Sequence, residues 1–478
     1  MKDWIDDLNN LLPKGRVSIS QEEILDHSYD AWSVSIKTRQ QGKDDFFPDV
    51  IVYPQSEKEV STLLAWASES KVPVTPWGAG SAVTGAPLPL SGGVSLDMSR
   101  MNKILNLDQK NLTVTVQAGI MGDQLENYLS ERGLTLNHSP QSIERSTAGG
   151  WVATRSTGQF SSRYGGIEDL LLGIKAVIPS GEIVEIKPAI RASMGPDLKE
   201  IFLGAEGTMG VITQVTFKIF VVSENQIFEA ISFDTVLAGI ETMRKIMQFG
   251  LRPFLIRFYD EDESRHATKN DSFSGCIMFL GFEGISLVSS AEYQTAIGFC
   301  KETGGLLLGP ELVQDWMLRR FDYSSIEKIV SKPSGVAETV EVAHFWTGIY
   351  ATYYELKKTL AEHVDEVLGH FSHAYPQGTS LYMILLSGTN REKSPAEAEE
   401  TLRNIWKTIH KITSMTGAMA AHHHGVGIAR MPIIVKELGT GMTILQLIKN
   451  AIDPSNVLCL VNLAFPYVRN SYVLYRCY

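Results

Sequence analysis

The chain has 478 residues, of which 44% are hydrophobic and 20% charged, and this predicts a folded protein of more than one domain. A formal net charge of −11 argues against nonspecific nucleic-acid binding, because that function needs clustered lysines and arginines. It leaves room for a small anionic substrate, which requires only one or two local cations.

The cysteines and the apolar segments indicate a cellular location. Cys276, Cys300, Cys459 and Cys477 are widely spaced without a Cys-x-x-Cys pair, which predicts reduced thiols. The N-terminus is acidic and its apolar run is too short for a signal peptide. Because no run of about eighteen apolar residues occurs, we expect no transmembrane helix and a cytoplasmic protein.

Residues 1–45 predict a helical lead-in, and residues 46–222 predict an α+β domain that is rich in glycine. Its predicted elements in chain order are a strand from Val50 to Tyr53, a helix that follows a capping box of Ser56 and Glu59, a strand from Val72 to Thr75, an alternating strand in NLTVTVQAG, a hairpin that turns at Pro179-Ser180-Gly181, and a strand that begins at Gly210.

Residues 223–425 carry longer helical patterns between strands, and they predict a second domain with an antiparallel sheet and helices on one face. The predicted helices are Asp234 to Phe249 and YATYYELKKTLAEHVDEVL, and the predicted strands include CIMFLGF and SLYMILLSG. Residues 426–478 are expected to be a helical segment that packs back on the first domain, with one helix, MPIIVKELGTGMTILQLIKNAI, before Asp453-Pro454.

Three segments of the first domain place glycine or a small hydroxyl residue at the end of a strand: PWGAGSA, QSIERSTAGGWVATRST and EGTMGVI. Backbone N–H groups at such positions can approach a ligand and bind a pyrophosphate. Each segment alone is equally well explained by a tight turn. The phosphate-loop and dinucleotide-fold motifs are both absent, so a nucleotide would be bound by a different fold.

Taken together, five motifs in order resemble a known family: HSPQSIERSTAGGWVATRSTG, RYGGIEDLLLGIKAV, GPDLKEIFLGAEGTMGVIT, HAYPQGTSLY and HHHGVG. The chain resembles the vanillyl-alcohol oxidase and p-cresol methylhydroxylase (PCMH) superfamily, within the alkyldihydroxyacetonephosphate synthase branch and its bacterial FAD-linked oxidoreductase relatives. The resemblance implies an α+β fold with a two-part PCMH-type FAD-binding domain. It also implies a substrate (cap) domain whose antiparallel sheet is covered by helices.

The resemblance also implies which residues bind FAD. The expected set is Pro76, Trp77, Gly78, Ala79, Gly80, Ser81 and Ala82 at the pyrophosphate, Gln141, Ser146, Thr147, Gly149, Gly150, Thr154, Ser156 and Thr157 along the flavin and ribityl chain, and Glu206, Gly207, Gly210, Val211 and Ile212 through backbone contacts. Covalently flavinylated relatives carry a histidine in the first loop. None occurs here, so the FAD is expected to be noncovalent.

Tyr382 matches the family's catalytic tyrosine, and its alternative is a tyrosine packed in a strand. The triplet His422, His423 and His424 can relay a proton or bind an anion. On a strand, positions i and i+2 share a face, so at most His422 and His424 are expected to face one pocket.

Arg257 matches a family arginine near the anionic part of the substrate, and its alternative is a surface salt bridge to Asp260 or Glu261. His373 is a further expected substrate contact. Related 2-hydroxy acid dehydrogenases have the metal motif G-H-x-G-D-G-N-x-H. Here SHAYPQGTSLY keeps His373 but has Tyr382 in place of the second histidine, so no metal is expected.

One departure concerns the substrate. Glu327, beside Lys328, occupies the position of a second family arginine at the phosphate, and this would replace attraction with repulsion. We therefore expect an FAD-dependent dehydrogenase that oxidises a small hydroxylated anion, such as a 2-hydroxy acid or a sugar acid. The alternatives are a non-redox transferase like the alkyl synthases and a flavin-binding protein without catalysis. The electron acceptor stays open between oxygen, a quinone and an electron-transfer flavoprotein, and a homodimer is one expected assembly.

Overall fold

The computed structural model describes residues 4–43, 45–388, 394–459 and 463. Cys477 and the end of the predicted C-terminal segment lie outside the described residues. The helices are α1 (Trp4–Leu11), α2 (Gln21–Asp26), α3 (Ser33–Gln40), α4 (Glu57–Ser70), α5 (Gly122–Ser130), α6 (Ala148–Thr154), α7 (Ser161–Tyr164), α8 (Ile167–Leu170), α9 (Val236–Gln248), α10 (Glu261–Thr268), α11 (Ser286–Glu302), α12 (Glu311–Arg319), α13 (Ser324–Val330), α14 (Trp346–Leu360), α15 (Pro395–Thr416), α16 (Met431–Leu438) and α17 (Gly441–Ile452). The strands are β1 (Val17–Ser18), β2 (Val50–Val52), β3 (Val74–Trp77), β4 (Val94–Asp97), β5 (Ile104–Asp108), β6 (Thr113–Gln117), β7 (Leu134–Thr135), β8 (Leu171–Val177), β9 (Ile183–Ile186), β10 (Val211–Lys218), β11 (Phe220–Val221), β12 (Gln226–Phe233), β13 (Leu255–Tyr259), β14 (Cys276–Glu283), β15 (Leu306–Gly309), β16 (Val336–Phe345), β17 (Glu366–Ala374) and β18 (Gly378–Ser387).

Over the described ranges, the strands form three main sheets and one short pair, β11 with β7. The first sheet has the order β1-β2-β4-β3, with β2 and β3 both parallel to β4. The central sheet is antiparallel, in the order β5-β6-β10-β8-β9. The large sheet is also antiparallel, in the order β15-β12-β14-β13-β17-β18-β16. This is the expected α+β fold.

Local sequence signals set several of these elements. The Ser56 hydroxyl accepts a hydrogen bond from the Glu59 N–H at 3.3 Å and begins α4, whose apolar residues at helical spacing are fully buried against the first sheet. Ser394 and Glu397 cap α15 reciprocally, and Gly417 ends that helix in the left-handed conformation. The helix predicted after the capping box of Ser56 and Glu59 is therefore confirmed as α4, and α15 has the same kind of N-terminal cap.

Helices cover both faces of the large sheet, whereas we expected them on one face. Ile231 and Phe233 of β12 pack in one core with α9, α14 and α15, while Ala230 of the same strand packs in another with Val313 and Trp316 of α12. Successive strand residues point to opposite faces, so a strand that is apolar on both faces needs a layer on each side.

Two predicted elements differ in their bounds from the expectation. The second strand runs from Val74 to Trp77, two residues later than predicted. The helix predicted through HVDEVL ends at Leu360, and Glu366 begins β17, where Val367 and Leu368 are buried in the sheet. The helical pattern of this segment is therefore outweighed by the burial of its apolar side chains in the sheet.

The predicted final helix is two helices, α16 and α17, with a bend of 112° between them. Gly439 breaks it with a φ of 51°. Ile434 of α16 packs in the core of the central sheet. Considering only the described residues, no single helix is long and apolar enough to cross a membrane, although α16 and α17 reach the required length and composition as a bent pair.

Candidate active site

A cavity of about 660 Å³ lies between the central sheet and the large sheet. Its volume falls within the range of about 300–1,000 Å³ that is usual for ligand sites. All twenty residues that the resemblance assigns to FAD line it, and so do Tyr382, His423, His424, Arg257 and His373. His422 does not line it. The roles of these residues stay predictions, but the structure brings twenty-five of the twenty-six candidates to one cavity.

The loop of residues 76–82 follows β3 along the cavity wall. Within the part of the chain that the structure describes, the backbone N–H groups of Ala79, Gly80, Ser81 and Ala82 have no hydrogen-bond partner. A run of backbone N–H groups without protein partners can form a binding site for an anion. The loop therefore suits a pyrophosphate.

Two further segments meet this loop at glycine positions. A Cβ atom at Gly78 would lie 2.7 Å from the Thr147 hydroxyl, and Gly149 is equally close to Ala118, so only glycine allows these contacts. Thr147 begins α6, and its hydroxyl accepts a hydrogen bond from the Gly150 N–H at 3.2 Å. Because the segments approach each other closely at these glycines, backbone lines this part of the cavity wall. Such a wall suits a flat cofactor.

The histidine loop, residues 421–427, is held by two buried carboxylates. Glu341 of β16 accepts hydrogen bonds from the N–H groups of His422 and His424 at 2.8 Å and of His423 at 3.3 Å. Arg430, which is 1% exposed, forms an ion pair with the same carboxylate at 3.1 Å and donates a hydrogen bond to the Glu341 carbonyl. The loop backbone is thereby fixed from the side of the large sheet.

Glu206 holds the other end of the histidine loop from the side of the central sheet. Its carboxylate accepts hydrogen bonds from the N–H groups of Val426 at 2.5 Å and Gly427 at 2.9 Å. Burial raises the pKa of Glu206 to about 7, against the effect of these two donors. Because Glu206 also lines the cavity, the loop and the cofactor site share one residue.

The histidine side chains differ from the expected arrangement, since His423 and His424, rather than His422 and His424, line the cavity. The reason is that residues 422–424 form bends rather than a strand, because Glu341 gathers three consecutive N–H groups. The His422 ring turns away, with Nδ1 2.9 Å from His423 Nδ1 and Nε2 3.1 Å from the Tyr375 hydroxyl.

Burial lowers the pKa of these imidazoles, to about 4 for His422 and about 3 for His424. The pKa values of His373 and His423 also fall well below the ordinary value, first because of burial and then because other imidazoles lie nearby. The rings are therefore neutral near pH 7, and each presents one donor and one acceptor nitrogen. His373 Nδ1 lies 2.7 Å from the Ser161 hydroxyl.

Tyr382 on β18 stacks on His370 of β17 with 4.8 Å between the ring centroids. Burial raises the pKa of Tyr382 above its ordinary value, although the Thr339 hydroxyl and the Arg257 guanidinium act in the opposite direction. A tyrosine with a raised pKa keeps its proton at neutral pH. It is therefore suited to donating a hydrogen bond rather than to acting as a phenolate base.

Arg257 contacts neither carboxylate that the sequence alternative proposed, since Asp260 pairs with Lys357 and Glu261 pairs with Arg265. Its Nη2 is 2.7 Å from His370 Nε2, and its Nε donates to the Tyr259 hydroxyl at 2.7 Å. Within the described chain, Nη1 of Arg257 has no partner.

His370 bridges Arg257 and a buried acid. Because a guanidinium only donates, His370 Nε2 accepts from it, and Nδ1–H donates to the Glu263 carboxylate at 2.7 Å. Burial raises the pKa of Glu263 to about 7, and burial together with Arg257 lowers the pKa of His370. Glu263 thus fixes the tautomer of His370 beneath Tyr382.

Arg145 and Glu327 form an ion pair on the cavity wall, between the segment that precedes α6 and α13. Both side chains are about half exposed, at 56% and 48%. Tyr323 joins the same two parts of the chain, because its hydroxyl donates to the Gln141 carbonyl at 2.6 Å. Glu327 therefore neutralises one of the two cations, Arg145 and Arg257, that line the cavity.

Sequence reasoning missed four residues at the site, namely Glu341, His370, Glu263 and Tyr375. Glu341 and His370 stand within strands, and Glu263 lies in the first turn of α10. For Glu341 and His370 the available signal is a charged or ring side chain at a core-facing strand position, because such groups are buried only with partners.

Comparison with known proteins identifies the family of the chain. Residues 48–187 match the FAD binding domain family, and residues 222–459 match the family of FAD linked oxidases, C-terminal domain. The chain is 30% identical over 86% of its length to alkyldihydroxyacetonephosphate synthase of Dictyostelium discoideum, covering 72% of that protein. It is 32% identical to the FAD-linked oxidoreductase YgcU of Escherichia coli O157:H7, covering 86% of this chain and 88% of that one. D-lactate dehydrogenase of Anaerostipes hadrus is 25% identical, with 95% of this chain and 96% of that one covered.

Solved structures show the same fold. An alkyldihydroxyacetonephosphate synthase superposes with a TM-score of 0.81 at 26% identity, over 96% of this chain and 84% of that one. Substrate-bound p-cresol methylhydroxylase superposes with a TM-score of 0.80 at 14% identity, over 98% and 97%.

The cavity fits FAD, because unpaired backbone N–H groups border one part of it and an arginine, a tyrosine and imidazoles border another. The residues expected to hold the cofactor are those of the 76–82 loop, the segment around Thr147 and the segment that begins at Glu206. The chain belongs to the FAD-linked oxidase family, and its cofactor is FAD.

Proposed function

We propose that the protein is a dehydrogenase that oxidises a small hydroxylated monoanion, such as a 2-hydroxy acid or a sugar acid. The observation that carries this proposal is the charge of the cavity wall. Of its two cations, Arg145 is paired with Glu327, and Arg257 has no carboxylate partner among the described residues. One guanidinium with a free Nη1 matches a single carboxylate.

The same charges disfavour a phosphate dianion. A phosphate near α13 would meet Glu327 as well as Arg145, and the repulsion would offset much of the attraction. Arg257, which has no carboxylate partner among the described residues, lies next to the Tyr382 and His370 pair. A carboxylate bound there would place the neighbouring hydroxyl carbon beside the tyrosine and the histidine loop.

In this proposal, each residue has a limited task. Arg257 binds and orients the carboxylate, and Tyr382, which keeps its proton, donates a hydrogen bond to the substrate oxygen. A neutral imidazole of His423 or His424 accepts the hydroxyl proton. When bound, FAD supplies the acceptor for the hydride. Its noncovalent attachment and the site roles are part of the proposal.

The proposal is tested by anaerobic addition of 2-hydroxy acids and sugar acids to the purified holoenzyme. We expect at least one compound to bleach the visible absorbance of the flavin, and Arg257→Lys to weaken that reaction through KM. A panel that never reduces the flavin would refute the redox function. We propose an electron-transfer flavoprotein or a quinone as the oxidant of the reduced enzyme, and reoxidation rates with each, compared with oxygen, identify it.

A second candidate is a non-redox transferase like alkyldihydroxyacetonephosphate synthase. The identity of 30% to such a synthase and the superposition on another support it, and Glu327 opposes it. Incubation with acyl-dihydroxyacetone phosphate and a fatty alcohol distinguishes the two candidates. Formation of an ether lipid without net flavin reduction would support the transferase.

A further inference from the structure

Gln159 is a buried side chain of the cavity wall whose amide has no hydrogen-bond partner in the described part of the chain. The residue is 9% exposed and lines the cavity, and neither its Oε1 nor its Nε2 is paired there. Buried polar groups are normally hydrogen-bonded, because an unpaired group loses its hydration without compensation. An unpaired amide on a cavity wall therefore indicates a contact that a ligand completes.

A second side chain of the wall shares this property, but its surroundings account for it. Among the cavity-lining residues that the structure describes, Gln159 Oε1 and His424 Nδ1 are the two buried side-chain atoms without a hydrogen bond. His424 Nδ1 lies 3.6 Å from the Glu341 carboxylate, so it faces the residue that holds the histidine loop. The Gln159 side chain has no corresponding ion pair or hydrogen bond among the residues described.

The backbone fixes Gln159 close to an expected substrate contact. Its N–H donates to the Ser139 carbonyl at 3.0 Å, and a Cβ atom at Gly158 would lie 2.5 Å from the Ser139 nitrogen, so this close approach requires glycine. Ser161, two residues further along the chain, contacts His373 Nδ1 through its hydroxyl at 2.7 Å. Because two residues span at most about 7 Å, Gln159 lies near the Ser161 and His373 pair.

We propose that the Gln159 amide binds a second hydroxyl group of the substrate, which makes the substrate a polyhydroxylated sugar acid rather than a simple 2-hydroxy acid. This inference rests on the proposed dehydrogenase function. In that function, Arg257 binds the carboxylate, and Tyr382 with an imidazole contacts the reacting hydroxyl. A simple 2-hydroxy acid has no further polar group and leaves the amide unpaired. A second hydroxyl both donates and accepts, so it pairs with the amide oxygen or with the amide NH₂ group.

The test measures binding without turnover. The FAD of the holoenzyme is first reduced anaerobically with dithionite, so that it cannot accept a hydride, and binding is followed by isothermal titration calorimetry. Each sugar acid is compared with a ligand that lacks one hydroxyl group: glycerate with lactate, and gluconate with 3-deoxygluconate. We expect at least one sugar acid to bind about tenfold more tightly than its comparison ligand, the usual effect of leaving a buried polar group unpaired.

Gln159→Met keeps the length of the side chain and removes its hydrogen-bonding groups. We expect this variant to reduce the affinity ratio to about one, mainly through weaker binding of the sugar acid. Its flavin content and its flavin absorbance spectrum should match those of the wild type. Gln314→Met, at an exposed position of α12, is the matched control and should keep the wild-type ratio.

The proposal is overturned if the wild type binds no sugar acid more tightly than its comparison ligand, or if Gln159→Met keeps the wild-type ratio. Equal weakening of both ligands would assign the amide to packing, and a changed flavin spectrum in the absence of substrate would assign it to the cofactor; each result also overturns the proposal. Failure of the dehydrogenase function is recognised separately, because the sugar acids would then bind with this discrimination but never reduce the oxidised holoenzyme.

Discussion

Replacing Glu341 with glutamine tests whether this carboxylate holds the histidine loop. Glu341 is fully buried, its carboxylate accepts hydrogen bonds from three consecutive N–H groups, of His422, His423 and His424, and it forms an ion pair with Arg430. Glutamine has the same size but carries an NH₂ group in place of one oxygen. It also removes the negative charge beside the buried guanidinium.

The expected loss of stability in Glu341→Gln follows from these contacts. If the amide oxygen takes the position of Oε1, it keeps His423, His424 and Arg430, and the NH₂ group faces the N–H of His422. That donor loses its acceptor, which costs about 1–3 kcal/mol. Removing the charge beside Arg430 costs about 3–5 kcal/mol, the usual effect of breaking a buried ion pair. The two effects overlap, so we expect a total of about 3–5 kcal/mol in the free energy of unfolding.

Denaturant unfolding, followed by flavin release and by far-ultraviolet circular dichroism, measures this loss. Glu362→Gln, at an exposed position after α14, is the control and should unfold like the wild type. If Glu341→Gln lowers the stability by less than 1 kcal/mol, about the effect of an ordinary surface substitution, the carboxylate does not hold the loop.

Three further predictions follow from the cavity wall. The pKa of Glu206 is raised from 4.5 to about 7, so the wild-type fold loses stability as the pH rises through this window. Relative to the wild type, the free energy of unfolding of the Glu206→Gln apoprotein should therefore rise by about 3 kcal/mol between pH 4.5 and 8.5. A difference between the two proteins that does not change with pH contradicts this prediction. Glu327→Gln removes the ion-pair partner of Arg145 and should raise kcat/KM for phosphorylated substrates about two- to fivefold relative to unphosphorylated ones, because an exposed ion pair has a small energetic effect. If this ratio does not change, Glu327 does not contribute to substrate selection. Gly80→Ala, at a φ of +66° and with its Cβ 2.6 Å from the Trp77 ring, should weaken FAD binding about tenfold or more in a fluorescence titration; wild-type affinity would show that this loop does not bind the cofactor.

Local patterns in the sequence were sufficient for many elements, whereas the expected position of the cofactor site came from the resemblance to a known family. Ser56 and the buried apolar residues of α4 predict that helix, and the alternation in residues 112–117 predicts β6. The glycine segments indicate where the backbone can approach a ligand, and all three reach the same cavity. Such signals are readable because capping, periodicity and glycine conformation depend on residues a few positions apart.

The sequence, through its resemblance to a known family, determined the fold class and the cofactor and supplied candidates of which twenty-five line one cavity, but only the tertiary structure decided which histidines face it. That choice depends on Glu341 and Glu206, which lie 81 and 220 residues from the loop positions that they bind. A strand would present alternate residues, whereas a carboxylate that gathers consecutive N–H groups turns the loop and directs His422 to Tyr375. The physical reason is that a loop adopts the conformation in which its buried N–H groups find acceptors, and here distant parts of the chain supply those acceptors.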